Sequence, residues 1–165
     1  MIHEDFNWRK LALSDKEKTE RFIATQIGKD LDMPAAEFIA SYTHVFSLHP
    51  GELICKQGDS SSYLCIISTG RANIVRTDSD GNEKIIATIG PGQPLGEISL
   101  FDTDPRSASA VASTALEMIV LEQFSFELLC ENNTRVWAKL IKPLVKSMTK
   151  RFRQTSGLLA EYLKY

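Results

Sequence analysis

The residues with the clearest chemical potential lie in a segment that interrupts a run of short strands. Residues 95–101 do not alternate and are too few for an ordinary helix, so we predict that a strand ends at Gly96 and a single helical turn follows. The first amides of such a turn lack intrahelical partners and can bind an anion. The small residues Ser99, Ser107 and Ala108 leave room for an anion to approach the backbone.

Two charged side chains accompany this turn. Arg106 can donate two parallel hydrogen bonds to a phosphate, because its guanidinium is a planar fork. Glu97 can accept hydrogen bonds from vicinal hydroxyls such as those of a ribose. The alternative is that Glu97 and Arg106 form only a structural salt bridge within the turn.

Composition excludes several classes of protein. The chain has 165 residues, which is the size of one domain, and no apolar run approaches the ~20 residues of a membrane span. The first ten residues contain no apolar core of a signal peptide. The three cysteines form no CxxC pair, so we expect reduced thiols, no metal site and a cytoplasmic protein.

Charge is distributed unevenly along the chain. Residues 1–133 carry 11 basic and 20 acidic side chains, whereas residues 134–165 carry 8 basic and 1 acidic side chain. A basic helix face can bind nucleic acid or an anionic membrane. Because the aromatic residues that interleave with these basic side chains, Trp137 and Phe152, suit an apolar stripe instead, we interpret the basic face as solvated and do not expect DNA binding.

Hydrophobic patterning divides the chain into three parts. Residues 1–43 form an N-terminal helical segment, with a capping box at Ser14–Glu17 that opens a periodic run and a second short helix at Pro34. Residues 44–122 contain short apolar runs separated by turns, which indicate a β jelly-roll core. The predicted fold class is therefore mainly β with flanking helices (α+β), an antiparallel jelly-roll barrel.

Residues 123–165 are predicted to form C-terminal hinge and lid helices. Pro143 cannot donate an amide and disfavours helix at Lys142, so we expect a break or kink there, with Pro143 opening the final helix. Arg151 and Thr155 interrupt the apolar stripe of this helix, and a buried polar pair needs hydrogen-bond partners. A register-fixing contact within a helix pair would supply them.

The segment with Glu97 and Arg106 resembles the phosphate-binding cassette of the cyclic nucleotide-binding domain family. The resemblance rests on Gly96-Glu97-Ile98-Ser99-Leu100 followed by Pro105-Arg106-Ser107-Ala108. Upstream landmarks extend it over residues 38–163, namely Pro50-Gly51, Gln57-Gly58-Asp59, Tyr63, Gly70 and Asp80-Gly81. The resemblance implies that Glu97 holds the ribose 2′-hydroxyl and that Arg106 pairs with the cyclic phosphate. Amides near Gly96, Ile98 and Ser107, with the Ser107 hydroxyl, would complete the phosphate cradle.

A second part of the resemblance lies on the final helix. Arg151, Thr155 and Ser156 resemble the base-contacting part of the long helix in bacterial catabolite-activator-like sensor domains. In such domains this helix covers the purine and forms the dimer seam, and the serine can reach the nucleotide of the other subunit. The resemblance implies cAMP as the ligand, ahead of cGMP, and it allows a homodimer through this helix.

The ten ligand-binding candidates are therefore Gly96, Glu97, Ile98, Ser99, Arg106, Ser107, Ala108, Arg151, Thr155 and Ser156. We expect a non-catalytic receptor, without cofactor or metal, that signals to an unidentified downstream protein by moving its C-terminal helices. An enzyme of the metal-dependent cupin type would need clustered histidines, and the strands between residues 53 and 121 contain none.

Two alternatives stay open. One is a jelly-roll interaction module that responds to another ligand. The other is the sensor fragment of a transcription regulator, since no helix-turn-helix segment follows the final helix. Met1 argues against truncation at the N-terminus.

Overall fold

The computed structural model describes residues 6–102 and 104–163, and it has a mainly β core with flanking helices. The predicted fold class and jelly roll are confirmed. In the described ranges the strands form two antiparallel sheets and no closed barrel. The boundaries at residues 43 and 122 remain predictions, and residues 1–5, 164 and 165 of the outer segments lie outside the described part.

The element bounds define the labels used below. The helices are α1 Asp15–Ile23, α2 Met33–Ser41, α3 Gln123–Asn132 and α4 Thr134–Tyr162. The strands are β1 Arg9–Lys10, β2 His44–Leu48, β3 Leu53–Cys55, β4 Tyr63–Thr69, β5 Ala72–Thr77, β6 Glu83–Ile89, β7 Pro94–Leu95, β8 Ser109–Ala112 and β9 Leu116–Glu122. One sheet has the order β1-β2-β9-β4-β7, and the other has the order β3-β8-β5-β6.

Strand β4 lies inside the five-stranded sheet and is buried on both faces. Cys65 and Ile67 point into the apolar layer between the two sheets. Leu64 and Ile66 point the other way, into the apolar layer under the helices. Alternate side chains of a strand face opposite sides, so a strand covered on both sides must be apolar throughout. This explains why the run from Tyr63 to Ile67 is fully buried.

The N-terminal helices begin as predicted. Ser14 and Glu17 form a reciprocal capping box at α1, and Pro34 lies in the first turn of α2. The periodic run after Ser14 is helical only as far as Ile23, because Thr25 then bonds locally to the Phe22 carbonyl and closes a turn.

Helix α4 corrects the expectation at Pro143. A break there is wrong, and so is the expectation that Pro143 opens the final helix, since the chain is helical from Thr134 to Tyr162 with Pro143 inside. A kink stays a prediction. Leu140 and Leu144, on either side of the proline, are completely buried. Burying a leucine contributes about 1.5–3 kcal/mol, so the pair offsets the ~3 kcal/mol cost of an interior proline. None of the described helices combines the length and apolar character that crossing a bilayer requires.

Replacing Pro143 with alanine should stabilise the protein. The change restores an amide donor and removes the ring clash, so we expect the free energy of unfolding to rise by up to about 3 kcal/mol. Thermal unfolding measures the effect. Lys142→Ala, at the exposed neighbouring position, is the control and should leave the free energy of unfolding within about 0.5 kcal/mol of wild type. An unchanged or lowered stability in Pro143→Ala would contradict this account of α4.

Candidate functional site

A cavity of about 320 Å³ lies between the cassette segment and α4. Its volume falls in the range of small-molecule sites. The structure brings eight of the ten candidate residues into its lining, namely Gly96, Glu97, Ile98, Ser99, Arg106, Ser107, Ala108 and Arg151. These residues come from the turn after β7, the segment before β8, and α4.

The turn after β7 has the predicted form. Gly96 has a φ of +74°, which glycine adopts without the strain of a side chain. A single 3-10 turn follows at Ile98–Leu100. The Ser99 hydroxyl donates to the Gly96 carbonyl at 2.8 Å, which closes the turn from its inner side. Ser99 therefore stabilises the turn, in addition to leaving room for an anion near the backbone.

The backbone of Arg106 is fixed by a turn far away in the sequence. Its amide donates to the Asp59 carbonyl at 2.8 Å, and its carbonyl accepts from the Gly58 amide at 2.8 Å. Two reciprocal hydrogen bonds of this kind hold the residue as a strand ladder would. The upstream Gly58-Asp59 landmark thus positions the arginine of the cassette.

Arg106 is buried, at a relative exposure of 7%, and the partners of its guanidinium are uncharged. Nη2 donates to the Tyr63 carbonyl at 2.8 Å, and Nη1 donates to the Gly96 carbonyl at 3.2 Å. The guanidinium carbon lies 4.4 Å from the centroid of the Tyr63 ring. Nε is buried and has no hydrogen-bond partner among the described residues.

Glu97 is buried and faces α4. Its Oε1 lies 2.5 Å from Nη2 of Arg151, which also donates to the Pro94 carbonyl at 3.0 Å. Its Oε2 has no hydrogen-bond partner in the described part of the chain. Glu97 and Arg106 make no ion pair, so the alternative of a simple salt bridge between them is wrong.

Thr155 and Ser156 lie on the exposed part of α4 and are absent from the cavity lining. Their role in binding a base stays a prediction. The structure also adds lining residues that sequence reasoning missed: Cys55, Ile74, Leu95, Asp102, Asp104, Pro105, Ser109 and Ala110. Alternate side chains of a strand face the same side. This alternation is the one signal in the sequence that could have placed Cys55 and Ile74 in the cavity lining.

Tyr63 has a role at the site that the sequence analysis did not predict. In the sequence it is only one landmark of the resemblance, but in the structure its ring and carbonyl both contact Arg106. Burial raises the pKa of its phenol, and the hydroxyl donates to the Ile54 carbonyl at 2.6 Å.

Comparison with known proteins gives consistent matches. The family profile described as cyclic nucleotide-binding domain matches residues 45–133. The cyclic AMP receptor protein of Thermus thermophilus is 41% identical over 75 residues, covering 45% of this chain and 35% of that protein. The cAMP-activated global transcriptional regulator of Salmonella typhimurium is 27% identical over 123 residues, covering 74% and 59%. The chain thus spans less than two thirds of the length of these relatives.

A solved structure matches over nearly the whole chain. A cyclic nucleotide-binding domain from Methylobacillus flagellatus superposes with a TM-score of 0.87 at 26% sequence identity. The match covers 94% of this chain and 89% of that chain. The likeness therefore includes flanking helices as well as the β core.

Replacing Gly96 with alanine should displace Arg106. An added Cβ would lie 2.1 Å from Nη1 of Arg106 and 2.9 Å from the Tyr63 carbonyl, in a backbone conformation that disfavours L residues. We expect a loss of at least about 2 kcal/mol in the free energy of unfolding, measured by denaturant titration. Gly157→Ala is the matched control because nothing lies within 4 Å of its added Cβ. This control should stabilise α4 by up to about 1 kcal/mol. Equal stability of the two variants would contradict the tight slot around Arg106.

Proposed function

Because the chain belongs to the cyclic nucleotide-binding domain family, we propose that its cavity binds cAMP, with cGMP as the weaker ligand. The domain acts as a non-catalytic receptor, and the bound nucleotide changes the position of α4. The reduced state of Cys55, Cys65 and Cys130, which are unpaired in the structure, agrees with a cytoplasmic receptor.

The observation that carries the proposal is a buried cation with neutral partners. The Arg106 guanidinium is held by two carbonyls and an aromatic ring, and no carboxylate of the described residues pairs with it. Burying a charge without a counterion is costly. A phosphate in the cavity would supply that counterion and could accept a hydrogen bond from the unpaired Nε.

Glu97 supports a ribose as the second part of the ligand. Arg151 occupies only one carboxylate oxygen, Oε1, and leaves Oε2 buried without a partner. A buried carboxylate oxygen needs a donor, and the 2′-hydroxyl of a ribose is such a donor. Arg151 can therefore orient Glu97 while the other oxygen holds the sugar.

The preference for adenine is supported by the relatives and by the cassette. The Thermus thermophilus relative is named a cyclic AMP receptor protein, and the Salmonella typhimurium relative is named a cAMP-activated regulator. Ser107 together with Thr155 and Ser156 resembles cAMP-binding bacterial sensors. A hydroxyl at Ser107 can also approach the 2-amino group of guanine, which leaves cGMP as the weaker ligand.

Signalling in this proposal starts from the contact between Arg151 and Glu97. This ion pair and the bond from Arg151 to Pro94 join α4 directly to the cassette. A ligand shifts a conformation only through its different affinity for the two states. Nucleotide that meets Glu97 changes the strength of this contact, and the new position of α4 alters the surface offered to a downstream protein.

Calorimetric titration of cAMP and cGMP into nucleotide-free protein tests the binding site. We expect binding of both, with cAMP tighter. Arg106→Ala should cost about 2–5 kcal/mol of binding free energy, since it removes one partner of a buried charge pair. Arg106→Lys should also weaken binding, because an ammonium cannot reproduce the planar fork.

Arg76→Ala is the matched control. Arg76 is exposed on β5 and absent from the cavity lining, so its loss should not change affinity. Failure of the nucleotide-free wild type to bind either nucleotide would overturn the proposed function. Unchanged binding in Arg106→Ala would overturn the assignment of the cassette.

A homodimer through α4 forms the second part of the proposal. Apolar residues recur along this helix at alternating steps of four and three, with Thr155 as the polar exception: Ile141, Val145, Met148, Phe152, Thr155, Leu159 and Tyr162. We call these seven residues the seam. Several of its members are exposed apolar side chains, including Phe152 at 72%. This repeat is the pattern of a two-stranded coiled coil, with one polar core position that sets register.

A dimer formed through the seam would also place the exposed Ser156 next to Arg151 of the other copy. The spacing of the seam places Phe152 at an a position and Thr155 at a d position, so Arg151 is a g residue and Ser156 an e residue. In a parallel coiled coil, a g residue contacts the e residue five places further along the other helix. This rule pairs Arg151 with Ser156 of a second copy. Because Arg151 lines the cavity, Ser156 of a second copy would come close to the bound nucleotide.

Phe152→Glu should convert the dimer to a monomer. It places a carboxylate in the apolar seam, where burial of a charge is unfavourable. Sedimentation velocity measures the change. Lys150→Glu is the control, since residue 150 lies on the side of α4 away from the seam and its variant should stay dimeric. A monomeric wild type, or a dimer that survives Phe152→Glu, would contradict this interface.

A further inference from the structure

Tyr63 contacts the cassette arginine in two ways, through its ring and through its backbone carbonyl. Its ring lies under the Arg106 guanidinium, 4.4 Å from ring centroid to guanidinium carbon. Its carbonyl accepts from Nη2 at 2.8 Å. A cation over an aromatic face is attracted by the ring quadrupole, and the attraction is stronger where water is excluded. Tyr63 has 0% exposure, so this contact is shielded from solvent.

The Tyr63 ring is itself held from the opposite direction. Its hydroxyl donates to the Ile54 carbonyl on β3 at 2.6 Å. The Trp8 ring makes an edge contact with it at 5.3 Å between centroids. Burial raises the pKa of the phenol, so the hydroxyl stays a donor at neutral pH. The orientation of the ring is therefore set by the core and does not depend on a ligand.

These contacts leave one edge of the guanidinium unused. Nη1 and Nη2 each bond a carbonyl, while Nε remains without a partner among the described residues. An unsupported arginine side chain would sample many rotamers and lose that freedom on binding an anion. A guanidinium already fixed on a ring pays less of this cost.

We propose that Tyr63 is a positioning residue, which holds Arg106 on its ring so that the Nε edge is presented to the phosphate. This inference rests on the proposed function and deepens it. Tyr63 does not touch the ligand and acts only through Arg106. A tyrosine that served merely as core packing would affect stability but would not couple to the arginine.

A double-mutant cycle separates the two roles. The affinity for cAMP is measured by titration with NMR detection, because NMR measures weak as well as tight binding. The effect of Tyr63→Leu is measured twice, once with Arg106 present and once in the Arg106→Ala variant. With Arg106 present, Tyr63→Leu should weaken cAMP binding about tenfold, because the ring contact is lost. In the Arg106→Ala background it should change affinity less than about twofold. An equal loss in both backgrounds would overturn the positioning role.

Tyr63→Phe is the conservative variant. It keeps the ring and loses only the bond to Ile54, so it should retain binding within about threefold of wild type. Binding by Tyr63→Phe as weak as that of Tyr63→Leu would contradict a role for the ring.

A measurement on the nucleotide-free wild type avoids dependence on a variant that fails to fold. The proton on Nε of Arg106 should be displaced upfield by the ring current of Tyr63, and the same displacement should persist in Tyr63→Phe. A resonance at the ordinary arginine position would overturn the inference. If the wild type shows the upfield displacement of the Arg106 Nε proton but binds neither cAMP nor cGMP, the proposed function is wrong. The contact between Tyr63 and Arg106 would then still stand.

Discussion

A positive charge buried among neutral groups is the constraint on which the rest of this site depends. The carbonyls of Tyr63 and Gly96 and the Tyr63 ring stabilise the Arg106 guanidinium through partial charges only. A carboxylate, Glu97, lines the same cavity but pairs with Arg151. Had Glu97 paired with Arg106, the two charges would have neutralised each other and the cavity would hold a closed salt bridge. Because Glu97 and Arg106 do not pair, Arg106 remains as a hydrogen-bond donor and Glu97 as an acceptor. A ligand that carries both an anionic group and hydroxyls could bind to the two side chains together.

The contacts on either side of the cavity differ in strength. Arg106 is fixed by backbone bonds to Gly58 and Asp59 and by two bonds from its buried side chain to the carbonyls of Tyr63 and Gly96. The contact from α4 is made by Arg151, whose side chain is 39% exposed and which forms one ion pair with Glu97 and one hydrogen bond to the Pro94 carbonyl. A partly solvated pair is weakened by water and salt. The proposed movement of α4 requires such an arrangement, in which the cassette is rigid and the contact of α4 with it can break and re-form.

Local signals in the sequence were sufficient for most of the framework. Short apolar runs between turns predicted the strand-rich core of residues 44–122, and cap chemistry at Ser14 predicted the start of α1. Strands β1 and β7 have two residues each, which is too short for any period to be visible. The strand predicted to end at Gly96, which is β7, was therefore located only by the turn that follows it. The partners of the site charges could not be predicted, since Tyr63 and Arg106 are 43 residues apart and the acceptor is a backbone carbonyl. Nothing in the type of a residue indicates which distant carbonyl it meets.

The anchoring of α4 limits how the proposed movement can occur. Before Pro143 the helix is held by buried Leu140 and by the ion pair of Lys139 with Asp32, the N-cap of α2. Directly after it, Leu144 is also buried, and the helix then reaches Arg151 through largely exposed residues. In the proposed movement, α4 would act as a lever whose fulcrum is the packed part around Leu140 and Leu144, while the contacts of Arg151 hold the segment beyond it. The missing amide of Pro143 lies at that fulcrum, where it removes one hydrogen bond that would oppose bending. The proline that lowers the stability of α4 therefore lies where the proposed movement would need the helix to bend.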